Sequence, residues 1–248
     1  GNKTVSVVFA TYREKGSVRR VIDKFFASGF VDEIVVVNNN AEPGTNEEVK
    51  KTKAKLLYEG RQGYGYTYQT GVKAARGYYI ILCEPDGTFV GSDLERFLVY
   101  ARDFDVVLGS RTGQSTPLSG ADMTVIRKFA NVIEAKTIEV LFNTHALTDV
   151  GCTYKLFKKS ALKKLEPLWR TRNSLFATEL VLLTVSENMH FIEIPVTFRK
   201  RIGRSTYVER WHDALKWGVR IIIYIFLFWL RWIGAKIFKS KKKRRSEQ

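Results

Sequence analysis

The chain has 248 residues, 45% of them hydrophobic, enough for one full-sized core with or without an appendage, so it is neither disordered nor a plain membrane bundle. Its formal charge of +16, from 41 Lys and Arg against 25 Asp and Glu, implies an anionic partner: nucleic acid, acidic lipid headgroups or phosphorylated substrates. Two cysteines, Cys83 and Cys152, lie far apart in apolar sequence, which argues against a disulfide framework and for a reducing compartment.

Strand and helix signals alternate from the start. Residues 5–10 read as a buried strand, too short for a signal peptide and leading straight into a charged loop. Ser17 then caps a helix carrying Val18, Val21, Ile22, Phe25 and Phe26 on one face, with Gly29 beyond its end. Strands follow at 34–37 and 56–58, then the glycine-rich residues 60–65 and a helix ending near Gly77. A strand at 78–83, a helix over about 93–102 and a strand at 106–109 continue the rhythm. Residues 124–142 read as a longer helix, 153–157 and 191–198 as later strands, with a helix near 177–187 between them. Such βαβα order predicts an α/β fold: a mixed, mainly parallel sheet with helices on both faces.

The apolar run at 78–83 stops abruptly at Glu84-Pro85-Asp86-Gly87. Pro85 cannot continue a central strand and Gly87 permits a turn, so both acids are expected in a tight loop at the strand's carboxyl end. In open α/β sheets that edge is where ligands bind. Two hard oxygen donors there suit Mg2+ or Mn2+ beside a phosphate-bearing substrate; an ordinary acidic turn is the plain alternative.

The charge excess is uneven. The last ten residues carry six basic groups and one acid, residues 221–230 are an unbroken apolar run, and four of five tryptophans (Trp211, Trp217, Trp229, Trp232) fall nearby. Aromatics around an apolar segment with a polybasic end mark an anionic membrane surface. Nucleic-acid binding predicts basic residues interleaved over a folded surface, so no nucleic-acid partner is expected. Ten apolar residues make a helix of ~15 Å, half of a ~30 Å hydrocarbon core. Asp213, Lys216, Arg220, Tyr224 and Arg231 fall near one line of that helix. The expected arrangement is a helix lying in the membrane plane with this polar stripe toward water. The alternative is a C-terminal helix packed on the protein's own core or on a partner, and its pairing into a homo-oligomer stays open.

Several other chemistries are excluded. Glycines 60, 63 and 65 run G-x-x-G-x-G, unlike a dinucleotide fingerprint, and no Walker A motif occurs. His145, His190 and His212 are too scattered for zinc, and no serine sits in a G-x-S-x-G elbow.

Five segments in order then resemble family 2 glycosyltransferases of GT-A fold, and among them the polyprenyl-phosphate (dolichyl- or undecaprenyl-phosphate) sugar synthases. They are residues 8–14, VFATYRE; residues 35–40, VVVNNN, ending in Gly44-Thr45; Gly63-Tyr64-Gly65 through Gly71 and Gly77; Glu84-Pro85-Asp86 at the place of the D-x-D motif; and a composite of Gly109-Ser110-Arg111, residues 148–152, Ile194-Pro195-Val196 and residues 201–205. The resemblance covers about residues 5–207 and implies a glycosyltransferase domain over 1–207, an interfacial helical segment over 208–238 and a polybasic tail over 239–248.

It also implies an inverting, metal-dependent transfer from a nucleoside-diphosphate sugar to a polyprenyl phosphate at the cytoplasmic face of a membrane; a glycolipid or polysaccharide acceptor is the nearer alternative, and a non-catalytic basic protein that binds nucleic acid is the alternative from another class. Nucleotide-sugar contacts are expected from Ala10, Thr11, Tyr12, Glu14, Asn38, Asn39, Gly63, Gly65, Glu84, Pro85 and Asp86. The family's base-contacting acids are asparagines here, and an amide still offers a donor and an acceptor to a base edge. Glu84 and Asp86 are the expected ligands of Mg2+ or Mn2+, with Asp86 the stronger candidate. Asp86 and Arg201 are expected to serve catalysis, and Asp149 and Glu179 to position sugar or acceptor. Arg111, Arg127, Arg204 and Ser205 are the candidates for the acceptor phosphate, the last two on a loop that, with Arg201, covers the donor.

Overall fold

The computed structural model describes residues 3–112, 125–144, 147–202 and 211–246, with backbone alone for 125–127, 211–214 and 239–246. Its first half alternates β1 (Val5–Thr11), α1 (Val18–Ala27), β2 (Glu33–Asn38), α2 (Thr45–Lys50), β3 (Lys55–Tyr58), α3 (Tyr64–Ala74), β4 (Tyr79–Cys83), α4 (Leu94–Tyr100) and β5 (Val106–Ser110). The rest comprises α5 (Val125–Phe142), β6 (Lys155–Lys158), α6 (Lys159–Leu165), α7 (Phe176–Ser186), β7 (Phe191–Pro195) and α8 (Trp211–Ser246).

The strands form one seven-stranded sheet in the order β3-β2-β1-β4-β6-β5-β7. All neighbours are parallel except β6, which runs antiparallel to both β4 and β5. Central strands are apolar on both faces because both faces are covered. Val8, Val35, Val37, Ile80 and Leu82 pack with α3, α5, α7 and α8 on one side. Val7, Phe9, Val36, Ile81 and Cys83 pack with α1 and α4 on the other. Gly71 lets α3 approach the sheet: a Cβ there would stand 2.2 Å from Val8 Cγ1.

The predicted alternation and the mixed, mainly parallel sheet are present, with three differences. The strand expected at 153–157 begins at Lys155 and is the antiparallel one. The strand expected over 191–198 ends at Pro195, which has no N–H to extend a ladder. Helices α2 and α6 were not anticipated; at 6 and 7 residues they are too short to show a helical period. Ser17 also does not cap α1 with its side chain. Its hydroxyl donates to the carbonyl of Pro85 at 2.8 Å, strapping the acidic loop to the β1–α1 turn.

Helix α8 is part of the folded unit. Ile221 and Ile225 join the core beside α5 and α7, Trp229 Nε1 donates to Leu141 O (2.8 Å), and Trp232 Nε1 to Ser186 O (3.3 Å). Tyr224 departs from the expected water-facing stripe: its hydroxyl turns inward and donates to Glu179 at 3.0 Å. Asp213 of that stripe has no described side chain, while Lys216, Arg220 and Arg231 are exposed. The opposite edge of α8 exposes Leu215, Val219, Ile223, Phe226 and Leu230, and adjacent α5 exposes Phe129, Ile133 and Val140. Residues Leu215–Phe238 are long and apolar enough to cross a membrane by length and composition.

Candidate active site

The carboxyl ends of β1, β2 and β4 deliver the loops that frame the site. Glu14 turns back on its own loop, where one carboxylate oxygen accepts the N–H groups of Tyr12 (2.6 Å) and Arg13 (2.8 Å). Burial raises its pKa, although those N–H groups and Arg201 pull the other way. After β4, Gly87 takes φ +83 and turns the chain, so that Asp86 is left 2% exposed. Asp86 Oδ1 is committed to the Thr88 N–H (2.9 Å) and hydroxyl (2.6 Å), leaving Oδ2 free to face the site.

Glu84, Asp86 and Glu14 converge on a single cationic atom, Nη2 of Arg201, at 3.9, 3.1 and 3.4 Å. Burial raises the pKa of Glu84, repulsion from Asp86 adds to this, and Arg201 opposes it. Two carboxylates separated by one residue that already close on one positive centre fit a hard divalent cation. Mg2+ and Mn2+ of phosphate-transfer sites are often held by one or two carboxylates, with substrate oxygens completing the shell. Among the described residues no set of three or more His, Cys, Asp or Glu is arranged to hold a metal without such help.

A cavity of about 390 Å3 runs across this edge of the sheet. Ala10, Thr11, Tyr12, Glu14, Asn39 and Glu84 line its wall near the acidic loop, together with Tyr64 of the glycine motif and with Gln62 and Thr67, to which no sequence motif pointed. Arg111 and Arg201 stand in its wall. Its far end is Ser174, Ala177 and Thr178 at the start of α7, and Trp217 and Ile221 of α8. The i, i+4 spacing of 217 and 221 puts both on one face of α8, the one signal that could have found them, whereas Ser174 lies in the turn before α7.

Other expected site residues do different work. Asn39 spends its amide on the carbonyls of Glu59 (2.7 Å) and Arg61 (2.9 Å) and accepts Gly63 N–H (2.8 Å). Asn38 is likewise held, donating to Asn46 (2.6 Å) and accepting from Ala41 N–H (2.9 Å). These amides fix the loops that border the cavity, and both N–H groups of Asn39 are committed to them. Gly63 and Gly65 admit the backbone of Arg172, whose carbonyl accepts Gly65 N–H at 2.9 Å; a Cβ on Gly63 would lie 2.3 Å from that oxygen.

Asp149 is 2% exposed and forms a two-pronged pair with Arg111, Nε to Oδ2 at 2.8 Å and Nη2 to Oδ1 at 2.9 Å, reinforced by Arg111 N–H at 2.8 Å. Burial disfavours the Arg111 cation, but the facing carboxylate outweighs this and raises its pKa. The loop beneath is gripped by two strand residues. Glu193 of β7 accepts the N–H groups of Thr148 (3.0 Å) and Asp149 (3.2 Å). The Lys155 ammonium of β6, 1% exposed, reaches the carbonyls of Val150 and Cys152.

Glu179 does not reach the cavity. Fully buried, it accepts Arg170 N–H (3.0 Å), Thr171 N–H (3.0 Å), the Thr171 hydroxyl (2.7 Å) and the Tyr224 hydroxyl. Arg127 lies on α5 with no described side chain, and Arg204 and Ser205 lie outside the described residues.

Known proteins share this architecture. Glucosyl-3-phosphoglycerate synthase from Mycobacterium tuberculosis, solved with Mn2+, uridine diphosphate and phosphoglyceric acid, superposes with a TM-score of 0.70 over 92% of this chain and 78% of that one, at 15% identity. A dolichyl-phosphate beta-glucosyltransferase of Saccharomyces cerevisiae is 23% identical, covering 96% of this chain and 78% of that protein. A dolichyl-phosphate hexose transferase of Haloferax volcanii is 26% identical over 81% of this chain and 85% of its own length. A dolichyl-phosphate beta-glucosyltransferase of Trichomonas vaginalis reaches 30% identity, over 71% of this chain and 55% of that protein, so this chain spans about half of that relative. Residues 6–166 match the model of glycosyl transferase family 2, and the chain belongs to that family.

Proposed function

We propose that this glycosyltransferase moves a hexose from a nucleoside diphosphate to the phosphate of a membrane polyprenol, with inversion at the anomeric carbon. The observation that carries the reading is the continuity of the cavity. It runs from the acidic loop, where a diphosphate and its metal would sit, to Trp217 and Ile221 of α8. That helix turns an apolar edge, Leu215, Val219, Ile223, Phe226 and Leu230, outward beside the exposed apolar residues of α5. A phosphate on a lipid tail suits such a path, and the dolichyl-phosphate names of the relatives agree with it.

The acceptor is a phosphate monoester whose second pKa lies near ~6, so it is already anionic at neutral pH and needs no strong base. One of its oxygens attacks the anomeric carbon; the bond to the donor diphosphate breaks and its electron pair leaves on the terminal phosphate oxygen. Glu84 and Asp86 would hold Mg2+ or Mn2+, which when bound supplies a Lewis acid for charge on the leaving diphosphate. Arg111 presents the guanidinium edge not used by Asp149 to the acceptor phosphate. Asp149 fixes that edge, and Arg201 covers the donor.

Helix α8 would lie along the membrane surface. From Trp217 to Trp232 it is held against α5 and α7 over ~24 Å. Its exposed cations and the basic residues toward 246 suit an anionic cytoplasmic leaflet. The test is transfer from labelled nucleoside-diphosphate hexoses in vesicles with and without polyprenyl phosphate. Label should enter a lipid-extractable, acid-labile product only when polyprenyl phosphate is present, and Asp86→Ala should abolish it. Label found only in water-soluble or polymeric product would overturn the acceptor.

A further inference from the structure

Arg201 is held as firmly as the acids it faces. Its flanking backbone runs beside the acidic loop, with Arg199 N–H donating to Thr88 O (2.8 Å) and Ile202 N–H to Asp86 O (2.9 Å). Ile202 packs over Gly87, where a Cβ would come within 2.9 Å of its Cδ1. The guanidinium is therefore carried into the acidic cluster by main-chain pairing, and its side chain is only 21% exposed.

The position it takes excludes a second cation. Asp86 has one uncommitted oxygen, Oδ2, and Nη2 of Arg201 lies 3.1 Å from it. A divalent ion would need that same oxygen at ~2.1 Å, and the nearest other carboxylates, Glu84 and Glu14, are turned to the same Nη2. Arg111, the other cation in the cavity wall, is occupied by Asp149 and does not compete for these acids.

We infer that Arg201 is a resident cation occupying the metal position while the donor is absent, so that metal binds together with the nucleotide and not ahead of it. This rests on the metal reading above and extends it to an order of binding. The donor diphosphate offers the planar guanidinium a doubly charged alternative partner. When Arg201 turns to those phosphate oxygens, Asp86 Oδ2 and Glu84 are released to the ion. The differential affinity that shifts Arg201 between its two partners comes from the diphosphate.

The test is Mn2+ affinity, measured by electron paramagnetic resonance or calorimetry on the full chain, with and without uridine or guanosine diphosphate. Arg201→Gln should bind Mn2+ about tenfold more tightly than wild type when no nucleotide is present, within the usual range of a coupling between sites. It should also lose most of the enhancement that nucleotide gives wild type. Arg201→Lys, which keeps the charge, should stay near wild type and serves as the folding control. Equal Mn2+ affinity in wild type and both variants overturns the gate while leaving the metal site standing. Failure of all three proteins to bind Mn2+, even with nucleotide, removes the metal site and the gate together.

Discussion

Glu134 offers a stability measurement whose sign and size follow from its surroundings. It lies on α5 with 3% exposure, its Oε2 has no hydrogen-bond partner, and the backbone of Gly218 in α8 covers it. Burial, with repulsion from Asp149 added and Arg111 opposing, pushes its pKa from 4.5 up to about 8. The folded protein therefore keeps a proton that the unfolded chain gives up. Below pH 4.5 both states are protonated and nothing is lost. As pH rises toward 8 the unfolded state gains charge freely and the folded state does not, so stability falls through this window. At about 1.4 kcal/mol per pH unit the ceiling is about 5 kcal/mol, and local relaxation brings the expected loss to about 2–3 kcal/mol. Glu134→Gln keeps the shape and removes the titration. Urea unfolding followed by tryptophan fluorescence from pH 5 to 9 should show variant and wild type nearly equal at pH 5, with the variant increasingly more stable to pH 8. A difference that does not change with pH refutes the reasoning.

Two further outcomes follow from packing and pairing. Gly71→Ala should cost about 1–3 kcal/mol in the same unfolding assay, because its Cβ would overlap Val8 on the central strand. Asp149→Asn should leave Arg111 without its charged partner, lowering stability by about 3–5 kcal/mol and slowing transfer to the lipid while nucleotide affinity holds; unchanged transfer would remove Arg111 from the acceptor side.

The parallel core was legible because β1 and β4 are apolar on both faces, a pattern only a covered strand tolerates. The antiparallel direction of β6 was not, since side-chain periodicity is the same whichever way a strand runs. The acidic turn was readable from Pro85 and Gly87, whereas Arg201 at its centre depends on pairing between segments more than 100 residues apart. Asn39 and Glu179 show the opposite case. Each carries the chemistry of a binding residue, yet Asn39 commits both amide N–H groups to backbone carbonyls and Glu179 its carboxylate to backbone N–H groups and two hydroxyls, contacts that no local pattern announces. Trp217 read as an interface aromatic and also closes the cavity, a double use visible only once α8 is laid against α7.

The bond from Tyr224 to Glu179 has a practical consequence for anyone who would trim this enzyme into a soluble form. Glu179 also grips the N–H groups of Arg170 and Thr171, and the next residue, Arg172, supports the glycine turn that opens the donor end of the cavity. Helix α8 and the glycine turn thus hang from one short stretch of backbone. A chain cut before α8 loses a wall of the cavity and the hydroxyl that steadies its far hinge. Its kinetics would describe a damaged enzyme, so activity is best measured on a chain that keeps α8.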